Sequence, residues 1–329
     1  MRPFRFVRAA DAGSAIDALL REPESAFIAG GTELVNWMRD GICSPGVLVD
    51  INALPLATID IRPEGLRIGA LARMSDVAAD PRIGREYRVL AEALLAGASP
   101  QIRNMATIGG NLLQRTRCPY FRDTAFACNK RVPGSGCSAL GGENRWHAIL
   151  GTSKQCIAVH PSDLAVALLA LDAVVHTRRA AGERAIPIEA LHLLPDETPE
   201  RETVLEHGEL IVAIEVPATP FSVRSRYCKI RDRASYEFAL VSVAVALDLA
   251  DGVVRDARIA LGGVAPKPWR AQEAEDELRG RSLDEMTVTR AAEAAVRGAE
   301  PRTGNAFKVD LVKRTLIPVL AALGREATA

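Results

Sequence analysis

The sequence has no surplus of either charge, because Lys plus Arg and Asp plus Glu each number 41 in 329 residues. A neutral chain builds no long-range field for gathering nucleic acid or anionic lipid, so neither is an expected partner. Long apolar runs are also missing. The longest, such as Leu164–Leu171, fall far short of the roughly 20 residues that a membrane span requires, and no span is expected. The opening Met1-Arg2-Pro3-Phe4-Arg5-Phe6 leads into a polar helical pattern with no continuous hydrophobic segment and no small-residue cleavage site. This predicts a cytoplasmic chain without its own export signal; the alternative is passage to the periplasm in a folded complex, on the signal of another subunit. Internal repeats, a Ser-His-Asp order, a nucleophile elbow and paired acid/base carboxylates are all lacking. These absences weigh against a hydrolase and favour chemistry borrowed from cofactors.

Cysteine is scarce and unevenly placed. Of Cys43, Cys118, Cys128, Cys137, Cys156 and Cys228, four crowd into one stretch. A disulfide framework is not expected in a chain this long that lacks an export signal, since a reducing cytosol keeps thiols free and a sizeable core needs no staples. The crowded four lie between Arg115 and Pro161, where periodicity is lost and Gly, Pro and Asn accumulate. So long an irregular segment requires a reason. No C-x2–4-C knuckle of a structural zinc site is present, whereas iron–sulfur clusters accept thiolates drawn from wider loops. On spacing alone a cluster leads, with zinc and unligated thiols still open. His147 and His160 lie nearby and read as local hydrogen-bonding groups.

Periodicity places a short strand near Phe6–Arg8, a helix over Asp11–Arg21, a strand at Ala26–Ala29, a helix from Thr32 as N-cap, and a buried strand at Val47–Asp50. Paired strands at Ile59–Ile61 and Leu66–Ile68 flank the turn Arg62-Pro63-Glu64-Gly65, and helices follow near Val77 and over Tyr87–Leu95. After the irregular segment come an Ala/Leu helix from Asp163, strands at Val174–Thr177 and Leu210–Glu215, and then Pro217 to Pro220 as punctuation. Strands at Ser225–Lys229, Leu240–Leu249 and Ala257–Leu261 and three helices complete the chain. The predicted fold class is α+β. Residues 1–220 form one domain, with a lobe over 1–56, a lobe over 57–220 and a loop insertion at 115–161; residues 221–329 form a C-terminal α+β domain with a small antiparallel sheet and helices.

Two glycine pairs carry the candidate chemistry. In Phe27-Ile28-Ala29-Gly30-Gly31-Thr32-Glu33-Leu34 a buried strand runs into a double glycine and a helix start. Glycines let backbone approach a phosphate, and the first N–H groups of a helix supply donors; taken alone, the motif reads more readily as a tight strand-to-helix turn, since it is not a G-x-G-x-x-G fingerprint. Thr107, Ile108, Gly109, Gly110 and Asn111 repeat the theme. Two cradles suit a pyrophosphate, with Thr107 and Asn111 bonding its oxygens. Asp163 reads either as an acceptor from a ribose hydroxyl or as a helix N-cap.

Several stretches resemble the FAD-binding subunits of the xanthine dehydrogenase and molybdenum hydroxylase group nearly end to end: AGGTEL at Ala29–Leu34, QIRNMATIGGN at Gln101–Asn111, PSDLAVALLALDA at Pro161–Ala173, GELIVAIEVP at Gly208–Pro217 and ALGGVAPKPWRA at Ala260–Ala271. That resemblance implies the two-lobed, PCMH-type FAD-binding domain of these flavoproteins. It further implies that Phe27–Leu34 and Thr107–Asn111 wrap the FAD pyrophosphate, that Asp163 contacts the adenosine end, and that Ile211 and Lys229 lie beside the flavin; the bland reading of Lys229 is a surface lysine. The insertion resembles the branch of bacterial heterotrimeric aldehyde oxidoreductases whose flavin subunit carries a [4Fe–4S] cluster, implying Cys118, Cys128, Cys137 and Cys156 as ligands. Gly31 stands where the mammalian branch has Asn, a change that leaves backbone phosphate contacts intact. The implied partners are a large subunit with the molybdenum cofactor and a small subunit with two [2Fe–2S] clusters, and the implied reaction is oxidation of an aldehyde to an acid, with no catalytic residue on this chain. The flavin subunit of a related hydroxylase or aromatic acyl-CoA reductase is the alternative, and a zinc-stabilised scaffold the distant one.

Overall fold

The computed structural model describes residues 1–325. A parallel sheet opens the chain, built from β1 (Arg5–Arg8), β2 (Ser25–Ile28) and β3 (Val47–Asp50) in the order β1-β3-β2. β3 is central, so Val47, Leu48 and Val49 are all buried and its sequence reads as a continuous apolar run. The helix Ala12–Leu20 links β1 to β2. Asp11 caps it in a reciprocal box with Ser14, and Ala15, Ile16 and Leu19 turn one face inward. The second crossover, Leu34–Arg39, starts one residue later than expected. Its N-cap position is held by Glu33, not Thr32, whose carbonyl instead accepts from the Asn36 side chain.

A five-stranded antiparallel sheet follows, ordered β4-β5-β8-β6-β7 from β4 (Ile59–Arg62), β5 (Gly65–Gly69), β6 (Val174–Arg179), β7 (Gly182–Pro187) and β8 (Leu210–Pro217). Its edge strand β7 escaped the sequence reading. Gly182-Glu183-Arg184-Ala185 is mostly polar, as suits an exposed edge that must not recruit another strand. Helices Met74–Ala79, Pro81–Glu86 and Arg88–Ala96 share one hydrophobic interior with this sheet. Helix Asp163–Leu169 is buried at every position because helices Arg88–Ala96, Ile108–Leu112 and Ile188–Leu191 and the C-terminal antiparallel sheet all pack against it.

The last sheet is antiparallel, β9 (Ser225–Ile230), β10 (Val241–Ala250), β11 (Val253–Gly262) and β12 (Trp269–Arg270), ordered β12-β11-β10-β9. Both faces of β10 are covered. Val241, Val243, Val245 and Leu247 meet helices Gln272–Leu278, Glu285–Ala294 and Phe307–Arg325, while Ala244 and Ala246 join the interior of the second lobe. The hydrophobic interior therefore crosses the boundary expected at residue 220. Asp251 and Gly252, both at positive φ, close the β10–β11 hairpin. Among the described residues no helix is long and apolar enough to cross a membrane.

Candidate functional site

β2 delivers its chain to Gly30-Gly31 at the mouth of a cleft of about 460 Å³. The second glycine pair meets the first there. A Cβ on Gly30 would run into the carbonyl oxygen of Met105, just before the second pair, so the two loops touch backbone to backbone and only glycine fits. Gly31 has φ +70°, and Gly109 donates its N–H to Ala70 O at 2.8 Å. Thr107 caps the short helix Ile108–Leu112 by accepting from the Gly110 N–H. Both helices that start at the cradles are short, so the macrodipole contributes little and backbone N–H donors and close approach remain the useful features.

Every flavin-side residue singled out from the sequence lines this one cleft: Phe27 through Leu34, Thr107, Gly109, Gly110, Asn111, Asp163, Ile211 and Lys229. Deep in the cleft Asp163 is neither a cap nor a free carboxylate. Ser162 is the N-cap of its helix, accepting from the Ala165 N–H and donating its hydroxyl to Asn111 Oδ1. Asp163 accepts from Lys229 Nζ at 2.8 Å and from the Tyr227 hydroxyl at 2.5 Å. Lys229 is no surface lysine; its side chain is 3 % exposed, and it also donates to Ala96 O. Burial first, and then the charge of Asp163, hold the Tyr227 phenol well above its ordinary pKa, so it stays a donor. Sequence reasoning missed Tyr227, since nothing local marks a tyrosine whose partner lies on a distant helix.

The segment 115–161 contains little regular structure beyond the helical turn Pro119–Arg122 and an isolated antiparallel bridge between Cys128 and Cys137. All six cysteines are free thiols. The four of the loop are near enough to feel one another: Cys118 interacts electrostatically with Cys128 and Cys156, and Cys156 with Cys137 and Cys128. Burial pushes the Cys118 thiol up to about 12 and the Cys156 thiol up to about 11. A buried thiol with a pKa that high is poised to lose its proton only to a cation that replaces it. Among the described residues no three His, Cys, Asp or Glu side chains converge closely enough for a single ion. Cys43 lies in the first lobe, and Cys228 lies in β9 against the C-terminal core.

Charged contacts tie the loop to its surroundings. Arg117 and Arg122 both pair with Glu33, which closes the first cradle, while Arg115 and Lys130 pair with Glu202. His147 and His160 are local hydrogen-bonding groups, as read from the sequence. His147 Nε2 lies 3.1 Å from Cys118 Sγ; His160 Nδ1 accepts from the Ser162 N–H, and its ring packs on His192.

Two family patterns match the chain, "FAD binding domain in molybdopterin dehydrogenase" over residues 2–219 and "CO dehydrogenase flavoprotein C-terminal domain" over 226–322. The aldehyde oxidoreductase FAD-binding subunit PaoB of Escherichia coli is 49% identical over 329 residues, covering 99% of this chain and 100% of the relative. The 6-hydroxypseudooxynicotine dehydrogenase complex subunit alpha of Paenarthrobacter nicotinovorans is 31% identical, covering 84% of this chain and 78% of its own. Among solved structures, a carbon monoxide dehydrogenase chain from Hydrogenophaga pseudoflava superposes with a TM-score of 0.77 at 26% identity, covering 98% of this chain and 97% of that one.

Proposed function

This chain belongs to the FAD-binding subunits of the xanthine dehydrogenase and CO dehydrogenase family, and from that premise we propose that it is the FAD- and [4Fe–4S]-binding electron-transfer subunit of a molybdenum-dependent aldehyde oxidoreductase. The observation that carries the reading is end-to-end similarity, at 49% identity, to the FAD-binding subunit of an aldehyde oxidoreductase. Oxidation of the aldehyde to the acid takes place at the molybdenum cofactor of a large partner, and electrons reach this chain through [2Fe–2S] clusters of a small one. Bound FAD supplies the capacity to exchange electrons singly and in pairs, which joins one-electron traffic to a two-electron acceptor.

The residues of this chain do the holding. Gly30 and Gly31 admit the pyrophosphate to the backbone N–H groups of the first cradle; Gly109 and Gly110, whose own N–H groups are engaged by Ala70 O and Thr107 Oγ1, give close approach, and Thr107 and Asn111 stand at its edge. Ile211 lends an apolar wall that excludes water, and the Lys229–Asp163 pair offers a fixed dipole in place of a mobile solvent shell. In the insertion, the cluster reading is supported by four thiols of one irregular loop lying near enough to influence one another electrostatically. The chain works in the cytoplasm unless a signal-bearing partner carries the folded complex to the periplasm, and cell fractionation with and without the partners separates these two.

The test is metal, sulfide and flavin analysis of the purified chain and of its trimer, with paramagnetic resonance after reduction. FAD and one [4Fe–4S] cluster per chain are expected. The cluster should vanish on serine substitution of Cys118, Cys128, Cys137 or Cys156 and persist in Cys43→Ser and Cys228→Ser. Stoichiometric zinc without iron would overturn the assignment, as would aldehyde turnover by the chain alone.

A further inference from the structure

We propose that His147 tunes the reduction potential of the group held by the four-cysteine loop by donating a hydrogen bond from Nε2 to the sulfur of Cys118, and that Lys308 and Asn305 of the C-terminal domain hold it in place. The proposal rests on the reading of that loop as a [4Fe–4S] site. The contact is 3.1 Å long, and His147 is only 2 % exposed, so water does not compete for it. A thiolate bound to iron carries no proton, hence the proton between the two atoms stands on Nε2. The neutral ring then has Nδ1 as its bare acceptor, a buried atom without a protein partner among the described residues.

Orientation of the ring is enforced from its backbone. The carbonyl of His147 accepts from Lys308 Nζ at 3.0 Å and from Asn305 Nδ2 at 3.2 Å, and its N–H donates to Asn144 O. Lys308 has no exposed surface and spans to Gly263 O at 2.7 Å, while Asn305 also donates to Ala148 O. The ring of Tyr120 packs beside the imidazole. The backbone of His147 therefore cannot shift without breaking bonds to a different domain, which fixes the point from which its ring reaches Cys118.

Distribution of donors gives the arrangement its consequence. His147 acts at the Cys118 sulfur, while the Cys156 sulfur has the backbone N–H of Ala158 at 3.4 Å. Hydrogen bonds to a cluster sulfur withdraw density and stabilise the more negative, reduced state, which raises its potential. His147 is a positioning and tuning residue; it ligates nothing.

The experiment is a redox titration of the assembled trimer followed by paramagnetic resonance, with His147→Phe and His147→Gln against wild type. In His147→Phe the cluster potential should shift to more negative values while the flavin and [2Fe–2S] potentials stay put, and His147→Gln, which retains an N–H donor, should recover part of the shift. An unchanged potential in a fully loaded His147→Phe trimer overturns the proposal. Should His147→Phe fail to load, wild type with 15N-labelled histidine decides: a nitrogen coupling to the reduced cluster supports the bond, and its absence refutes it. A wild-type chain that holds no iron refutes the cluster reading itself, so the two failures are distinct.

Discussion

Lys229→Met isolates the energetics of the flavin cleft. The substitution removes the cation that faces Asp163 and leaves a carboxylate whose side chain is 9 % exposed, with the Tyr227 hydroxyl as its remaining side-chain donor. Breaking a buried pair in this way costs about 3–5 kcal/mol, because the surviving charge is uncompensated. The Tyr227 bond is charge-assisted and keeps part of the carboxylate satisfied, so the lower end, about 3 kcal/mol, is expected. With about 2 °C per kcal/mol for a cooperative unit of this size, the melting temperature should fall by about 6 °C. Removing the remaining polar partners reverses the loss. The triple variant Asp163→Leu/Tyr227→Phe/Lys229→Met leaves no buried charge and should melt within about 3 °C of wild type. Calorimetry on flavin-stripped protein is the assay, so that lost ligand stabilisation is not counted. A Lys229→Met protein that melts with wild type, or a triple variant less stable than the single one, would refute the reasoning.

Gly30→Val places a side chain against the Met105 carbonyl and should yield folded but flavin-depleted protein, checked by absorbance after incubation with excess FAD; full occupancy contradicts the cradle geometry. Glu33→Ala releases Arg117 and Arg122 together, so iron content and FAD occupancy should fall in the same variant; loss of one alone would show that cradle and loop are independent. Burial lowers the Lys308 amino group to about 7. Because its folded pKa is below the unfolded value, the cost of burying its charge is complete below pH 7 and is relieved as pH rises toward the unfolded value of about 10.4. Wild type should gain about 2 kcal/mol over Lys308→Met between pH 7 and pH 9, and a stability difference that ignores pH would show that the amine titrates normally.

Much of this was legible because pattern and environment agree. β10 reads as an apolar run over Val243–Leu247 since both its faces are buried, whereas β2, read as a buried strand ahead of the first glycine pair, is half-buried because it is the edge of its sheet and lines the cleft. The cysteine quartet stands out as four thiols in a stretch of weak periodicity, where the order comes from buried Phe121, Ile149, Leu150 and Ile157 and from ion pairs to Glu33 and Glu202. What stayed hidden depends on partners remote in sequence. Thr32 has the composition of a cap, yet Glu33 takes the position because Trp37, Arg117 and Arg122 engage its carboxylate. Ser162 and Asp163 are equally good caps on paper, and only Lys229 and Tyr227, arriving on β9, decide between them. Lys308 is written like any surface lysine at a helix start; its burial follows from the carbonyls of His147 and Gly263 that it meets.

The fastening of the cysteine loop sets a timetable for making the protein. Its side chains are gripped by Glu33 near the beginning of the chain, by Glu202 in the middle and, through the backbone of His147, by Asn305 and Lys308 near the end. Synthesis runs from the N-terminus and domains fold as they emerge, so the parallel sheet and both glycine cradles exist while the residues that clamp His147 are still unmade. The backbone of His147, whose ring contacts Cys118, is therefore fixed only once the last helix has been made.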